Sequence, residues 1–161
     1  MQSLQWYNKN ANEQPPTLKS YLGVWQGQNT AMHAFINDMM RYDSTIRNAA
    51  MGIFQALETA PCLPKGSVVW RANPLDMDDL MEDSEKWMSV SATKEGAMHF
   101  ANGRAMLICE IEIGDENIQG LPVKGDDNIL DAEHEIIIRP GFNVDVIRAK
   151  PGMKKFRITK A

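Results

Sequence analysis

Residues 61 to 72 read Pro61-Cys62-Leu63-Pro64-Lys65-Gly66-Ser67-Val68-Val69-Trp70-Arg71-Ala72. The two prolines and the glycine at the front of this stretch end a helix and turn the chain. The β-branched and aromatic residues behind them are the types that suit a strand. The boundary divides the sequence by hydrophobic period. Upstream, apolar residues recur every three or four positions; downstream, they come in short runs.

Upstream, Leu18, Tyr21 and Leu22 form a short apolar face. Met32, Phe35, Ile36, Met39 and Met40 form a second, and Ile46, Ala49, Ala50, Ile53, Phe54 and Leu57 a third. This spacing predicts helices from Leu18 to about Ala60, with Thr30 and Ser44 as N-caps. Residues 1–17 are polar, are closed by Pro15-Pro16, and read as a loose N-terminal arm.

Downstream, Ser67–Ala72 is a strand ended by Asn73-Pro74, and residues 75–86 are acidic and irregular. Trp87–Ser91 is a second strand, and Thr93–Ala101 a helical turn or two. Ala105–Ile113 is the best strand in the chain; 114–128 reads as a loop because of Gly114, Gly120, Pro122 and Gly125. Glu133–Ile138 is a strand stopped by Arg139-Pro140-Gly141. Phe142–Arg148 and Lys154–Thr159 are two more around a Pro151-Gly152 turn. Helices first and strands afterwards predict an α+β fold, with residues 18–161 as one domain.

Composition narrows the class. The chain has 161 residues, 43% hydrophobic and 24% charged, with a formal net charge of −4. That is too apolar for intrinsic disorder, and no run of 18 apolar residues could cross a membrane. The N-terminus lacks an apolar core behind a basic start, so it does not read as a secretory signal. Cys62 and Cys109 stand far apart without a CxxC pattern, which argues against a zinc site and a disulfide framework. They read as packed, reduced thiols, and a cytoplasmic location is expected.

Charge is unevenly placed. Residues 71–140 hold six basic and sixteen acidic side chains, whereas 141–161 hold six basic and one acidic. One reading is a solvated basic strand paired with acidic neighbours. The other is a patch for an acidic partner such as nucleic acid.

Three polar features interrupt the strands. Arg71 closes Val68-Val69-Trp70, where a guanidinium can grip a phosphate bidentately. Ser89 and Ser91 flank Val90 and so share one strand face. Glu133 and Glu135 flank His134 and, on a regular strand, would also share a face, able to stabilise a cation and take a proton. His134 would then point the other way, as a packed or rim histidine. Each feature alone also fits a structural role: a surface ion pair, two edge serines, an exposed alternating face.

Together, in the order Arg, Ser-x-Ser, Glu-x-Glu, they resemble the R-S-E type mono-ADP-ribosyltransferases, among them clostridial binary-toxin enzymes and phage enzymes that modify host proteins. The resemblance is carried by VVWRA (68–72), WMSVSATKEGAMHFA (87–101) and EHEIIIRPG (133–141). Trp87, Ala97 and Phe100 fit the family's pattern around the serines. Val90 stands where threonine is usual, Ala72 where glycine is common after the arginine, and residues 124–132 lack the aromatic that members often use to grip a protein target.

The resemblance implies a split β-sandwich of two roughly perpendicular sheets behind a helical N-terminal part, with NAD as substrate in the cleft. It implies Glu135 as the glutamate that stabilises the transition state, and Glu133 as the residue acting on the acceptor, with glutamate rather than glutamine there marking arginine as acceptor. Arg71 would bind the NAD phosphates, Ser89 would hold Glu135 and the nicotinamide ribose, Ser91 would support the strand, and Phe100 would line the NAD site. The leaving group is already a pyridinium, so the chemistry calls for no metal. The implied activity is transfer of ADP-ribose to arginine of a target protein, with NAD hydrolysis as a side reaction. Two alternatives stand beside it: the same chemistry on a nucleic-acid or small-molecule acceptor, using the basic tail, and a non-enzymatic binding module on the same fold.

Overall fold

The computed structural model describes residues 2–24, 44–74, 88–101, 106–124, 133–150 and 153–161. The expected Met32–Met40 helix with its Thr30 cap, the irregular stretch 75–86, Trp87 and the Pro151-Gly152 turn lie outside these residues.

The first helix, α1, is Gln2–Asn12. The loose arm expected over residues 1–17 is thereby corrected. Trp6, Tyr7 and Ala11 are buried in the main core. The polar ends of the two aromatics are satisfied: Trp6 Nε1 donates to the Cys62 carbonyl at 2.9 Å and the Tyr7 hydroxyl to the Val123 carbonyl at 2.7 Å. Two aromatic anchors are enough to dock a helix that is otherwise polar. Residues 16–24 form α2, with Leu22 fully buried.

Helix α3, Ser44–Glu58, follows the predicted period. Ala49, Ala50, Ile53 and Leu57 are buried, and each of the two larger side chains contributes about 1.5–3 kcal/mol by leaving water. Phe54, expected on that face, is 37% exposed, because one residue past Ile53 it falls about 100° round the helix.

The strands are β1 Val68–Pro74, β2 Met88–Ser91, β3 Met106–Ile113, β4 Gly120–Pro122, β5 Glu135–Ile138, β6 Phe142–Lys150 and β7 Met153–Lys160. Helix α4, Lys94–Ala101, lies between β2 and β3 in sequence. The α+β architecture with helices leading is therefore observed. The hydrogen-bonded order is β4-β5-β2-β1-β3-β7-β6, antiparallel throughout except for β3 beside β7.

The ladder narrows sharply in the middle. β1 and β3 pair over seven residues, but β1 meets β2 only at Trp70 and Ser91. This single pair joins a three-stranded segment to a four-stranded one within one seven-stranded sheet. Met88, Val90, Ile136 and Ile138 from the small segment share one core with Val69, Ile111, Phe156 and Ile158 from the large one. On the other side of the small segment, Ile137, Leu121 and Val123 pack with α2 and α3. Strand β4, expected as loop, forms because Gly120 lets the chain press onto β5: an added Cβ would meet Ile136 Cγ2 and Leu63 Cδ1, each at 2.9 Å.

In the tail, Lys155 pairs with Glu110 and Arg157 with Glu112, each at 3.1 Å, across the β3–β7 register. The strand-with-acidic-neighbours reading accounts for these two cations. Both cysteines are free thiols; Cys109 is buried as expected, whereas Cys62, expected to be packed, is exposed. No helix among the described residues is long and apolar enough to cross a membrane.

Candidate functional site

Arg71, Ser89, Ser91, Phe100, Glu133 and Glu135 all line one cleft of about 100 Å³. It opens where β1 and β2 part beyond their single pair, with α4 as a wall. All six residues singled out from the sequence are thus brought together.

The β2–β5 register sets the centre. Ser91 lies opposite Glu135, and Ser89 opposite Ile137, so both serines share the face of Glu135. Ser89 Oγ donates diagonally to Glu135 Oε2. Glu135 is buried, and its backbone carbonyl accepts from Val123 N at 2.8 Å. Its carboxylate is therefore held by the Ser89 hydroxyl, and its backbone by the continuation of β4.

The two glutamates meet in the cleft by a different route from the one expected. β5 begins at Glu135, not Glu133. His134 has φ of +46°, a left-handed conformation uncommon for a residue with a Cβ. This kink, rather than strand alternation, delivers Glu133 to the site. It is held from the end of β2: Ala92 N donates to the His134 carbonyl at 3.0 Å, and Ser91 Oγ to the Glu133 carbonyl at 2.6 Å. The His134 ring stacks edge-on against Tyr7, with centroids 5.4 Å apart. It is a packed histidine, as its sequence position suggested.

Arg71 is set between two strands. Its Nε donates to Asn73 Oδ1 at 2.7 Å and its Nη1 to the Ser89 carbonyl at 2.8 Å. Helix α4 is capped by Thr93, whose Oγ1 accepts from Gly96 N at 2.9 Å. It carries Phe100 to the rim, 37% exposed. His99, on the same turn, brings Nδ1 to 3.9 Å from Glu133 Oε1.

Four participants escaped the sequence reading. Asn73 reads in the sequence as a strand terminator with Pro74. Gly96 has no side chain to announce itself. His99 lay in a short helix with no marked polar face. Ser3 of α1 falls in the expected arm, yet its Oγ donates to the Ala92 carbonyl at 2.8 Å, beside the kink. A two-residue alternation from Arg71 would have found Asn73; nothing in the sequence marks the other three.

No family model matches the chain, and no curated protein matches it in sequence. Solved structures do match. Plx2a, an ADP-ribosyltransferase toxin from Paenibacillus larvae, superposes with a TM-score of 0.61 at 10% identity, covering 98% of this chain and 95% of that one. Exoenzyme S from Pseudomonas aeruginosa, solved with human 14-3-3 protein beta and Carba-NAD, gives 0.59 at 16% identity, covering 99% and 82%. This chain has the ADP-ribosyltransferase fold. BECa, the ADP-ribosylating component of a C. perfringens binary enterotoxin solved with NADH, gives 0.62 at 14% identity; the chain covers 98% of itself but only 48% of BECa. In the ADP-ribosyltransferase fold of this chain, the cleft lies beside the single β1–β2 pair that joins the two sheet segments, and α1 reaches Ala92 just after β2 and His134 just before β5.

Proposed function

We propose that this protein is a mono-ADP-ribosyltransferase that moves ADP-ribose from NAD to an arginine of a target protein and releases nicotinamide, acting as a bacterial toxin or a phage host-modifying enzyme. The observation that carries this reading is the convergence of Arg71, Ser89, Glu133 and Glu135 on one cleft, with the Ser89 hydroxyl bonded to the Glu135 carboxylate.

The chemistry follows from the positions. The bond between ribose C1 and the nicotinamide nitrogen breaks, and its electron pair leaves on neutral nicotinamide. Positive charge spreads over C1 and the ring oxygen. Glu135, fixed before substrate arrives, stabilises that charge and holds the ribose 2′-hydroxyl. Arg71 anchors the diphosphate, and Ser91 holds the strand and the Glu133 turn. Phe100 lines the NAD cleft. An arginine nitrogen then forms the new bond to C1, and Glu133 takes the proton it loses. Water in place of arginine gives NAD hydrolysis.

The neighbours' printed ligands support NAD as substrate: Carba-NAD in exoenzyme S and NADH in BECa. The complex of exoenzyme S with a 14-3-3 protein fits action among protein partners. A glutamate at position 133 favours arginine, because a cationic acceptor gains from a counter-charge.

The test separates the two glutamates. Nicotinamide release and incorporation of labelled ADP-ribose into protein are measured together. Glu135→Gln keeps the shape without the charge and should cut both roughly 100- to 1000-fold. Glu133→Gln should spare hydrolysis and lower transfer roughly 100- to 10,000-fold. Full activity in Glu135→Gln would overturn the role given to Glu135, and wild-type protein without nicotinamide release would overturn the enzymatic reading; equal loss of both activities in Glu133→Gln would overturn the division of roles.

A further inference from the structure

Asn73 stands two residues beyond Arg71 on β1, so the two side chains share a face. The β1–β3 register places Cys109 directly opposite Arg71 on that same face. Asn73 is only 3% exposed, and a buried amide must find partners for both ends. Its Oδ1 accepts from Arg71 Nε at 2.7 Å, and its Nδ2 donates to Cys109 Sγ at 3.6 Å. Cys109 is itself fully buried. The amide is thus pinned to the core at one end and to the guanidinium at the other. Arg71 Nη1 is held separately by the Ser89 carbonyl, so the guanidinium plane is set by two acceptors on two strands.

We propose that Asn73 is a positioning residue for the NAD diphosphate: by holding Arg71 Nε against the core, it fixes the guanidinium in the orientation that receives the phosphates. The inference rests on the transferase reading above and adds to it a residue outside the Arg, Ser-x-Ser and Glu-x-Glu pattern. The contact joins protein groups alone and serves the phosphates rather than the breaking bond. It therefore acts on binding of the phosphates, with little effect on the chemical step.

The experiment compares wild type, Asn73→Ala and Asn73→Asp. It reads KM for NAD, kcat for nicotinamide release, and binding of ADP and of nicotinamide by calorimetry. ADP carries the diphosphate and nicotinamide does not. Asn73→Ala should raise KM and weaken ADP roughly tenfold, the scale of one hydrogen bond to a charged group. It should leave kcat and nicotinamide binding close to wild type. Asn73→Asp, of the same size, keeps an acceptor for Nε but sets a negative charge against the guanidinium. It should weaken ADP at least as much, and it serves if the alanine variant does not fold. Unchanged ADP binding, or equal weakening of ADP and nicotinamide, would overturn the proposal while leaving the transferase reading intact. Wild-type protein that neither cleaves NAD nor binds ADP would overturn both.

Discussion

Gly96 gives the sharpest handle on the site, because its surroundings set the size of the effect. It sits at the third position of α4, where the helix presses on the Glu133 turn. A Cβ added there would lie 2.3 Å from the Glu133 carbonyl oxygen and 2.3 Å from Ser91 Oγ, whereas ordinary contact begins at 3.4 Å. The shortfall is roughly 1 Å against backbone, which cannot swing aside as a long side chain can. Gly96→Ala must therefore push α4 away or displace the turn, and overpacking of this kind costs about 1–3 kcal/mol. A misplacement near 1 Å in a catalytic constellation costs on the order of 100-fold in rate. The displacement falls on Glu133, while Glu135 is held by its own ladder to β2 and by Val123 N. Transfer to arginine should therefore fall about 100-fold, and NAD hydrolysis much less. The assay is the paired measurement of nicotinamide and labelled protein, with thermal melting to confirm folding. A folded Gly96→Ala with wild-type transfer would refute the reasoning.

Two further outcomes follow from the same geometry. Arg71→Ala should weaken NAD binding by about 1.5–3 kcal/mol through loss of a charged hydrogen bond, and calorimetry showing unchanged affinity would remove Arg71 from the site. Burial pushes the Cys109 thiol above its ordinary value of 9.0, with Lys154, Arg71 and the Asn73 amide pulling it partly back. Unfolded, the thiol loses its proton at the ordinary value while the folded chain keeps it, so stability falls as pH rises past about 9. The melting temperature of wild type should drop more steeply than that of Cys109→Ala between about pH 8 and pH 10, and parallel curves would show that Cys109 does not carry this dependence.

What the sequence made legible was periodic. The α3 stripe, the strong β3 and the isoleucine run of β5 each repeat a period long enough to read. Arg71, Ser89, Ser91 and Glu135 stood out because polar groups interrupted those runs. Helix α1 was hidden because its burial depends on two aromatics and one alanine among polar neighbours, so tertiary packing rather than pattern fixes it. Strand β4 is three residues long and contains Pro122, which reads as loop without the partner that pairs it. The left-handed His134 left no mark either, since nothing in Glu-His-Glu distinguishes a kink from an alternating strand. The Glu133 position was therefore anticipated for the wrong geometric reason.

The parallel pairing of β3 with β7 bears on how the chain is born. Arg157 on β7 reaches Glu112 on β3 across 45 residues of sequence. At about 5–20 residues per second, the ribosome needs on the order of 2–9 s to bridge that interval. Until β7 arrives, β3 has one open edge, and Ile111 lacks Phe156 and Ile158, its partners in the main core. The strand that carries Cys109, and through it the clamp on Arg71, is thus completed late in synthesis. A nascent chain stalled before residue 153 would hold every residue of the cleft yet lack the strand that closes the core behind it.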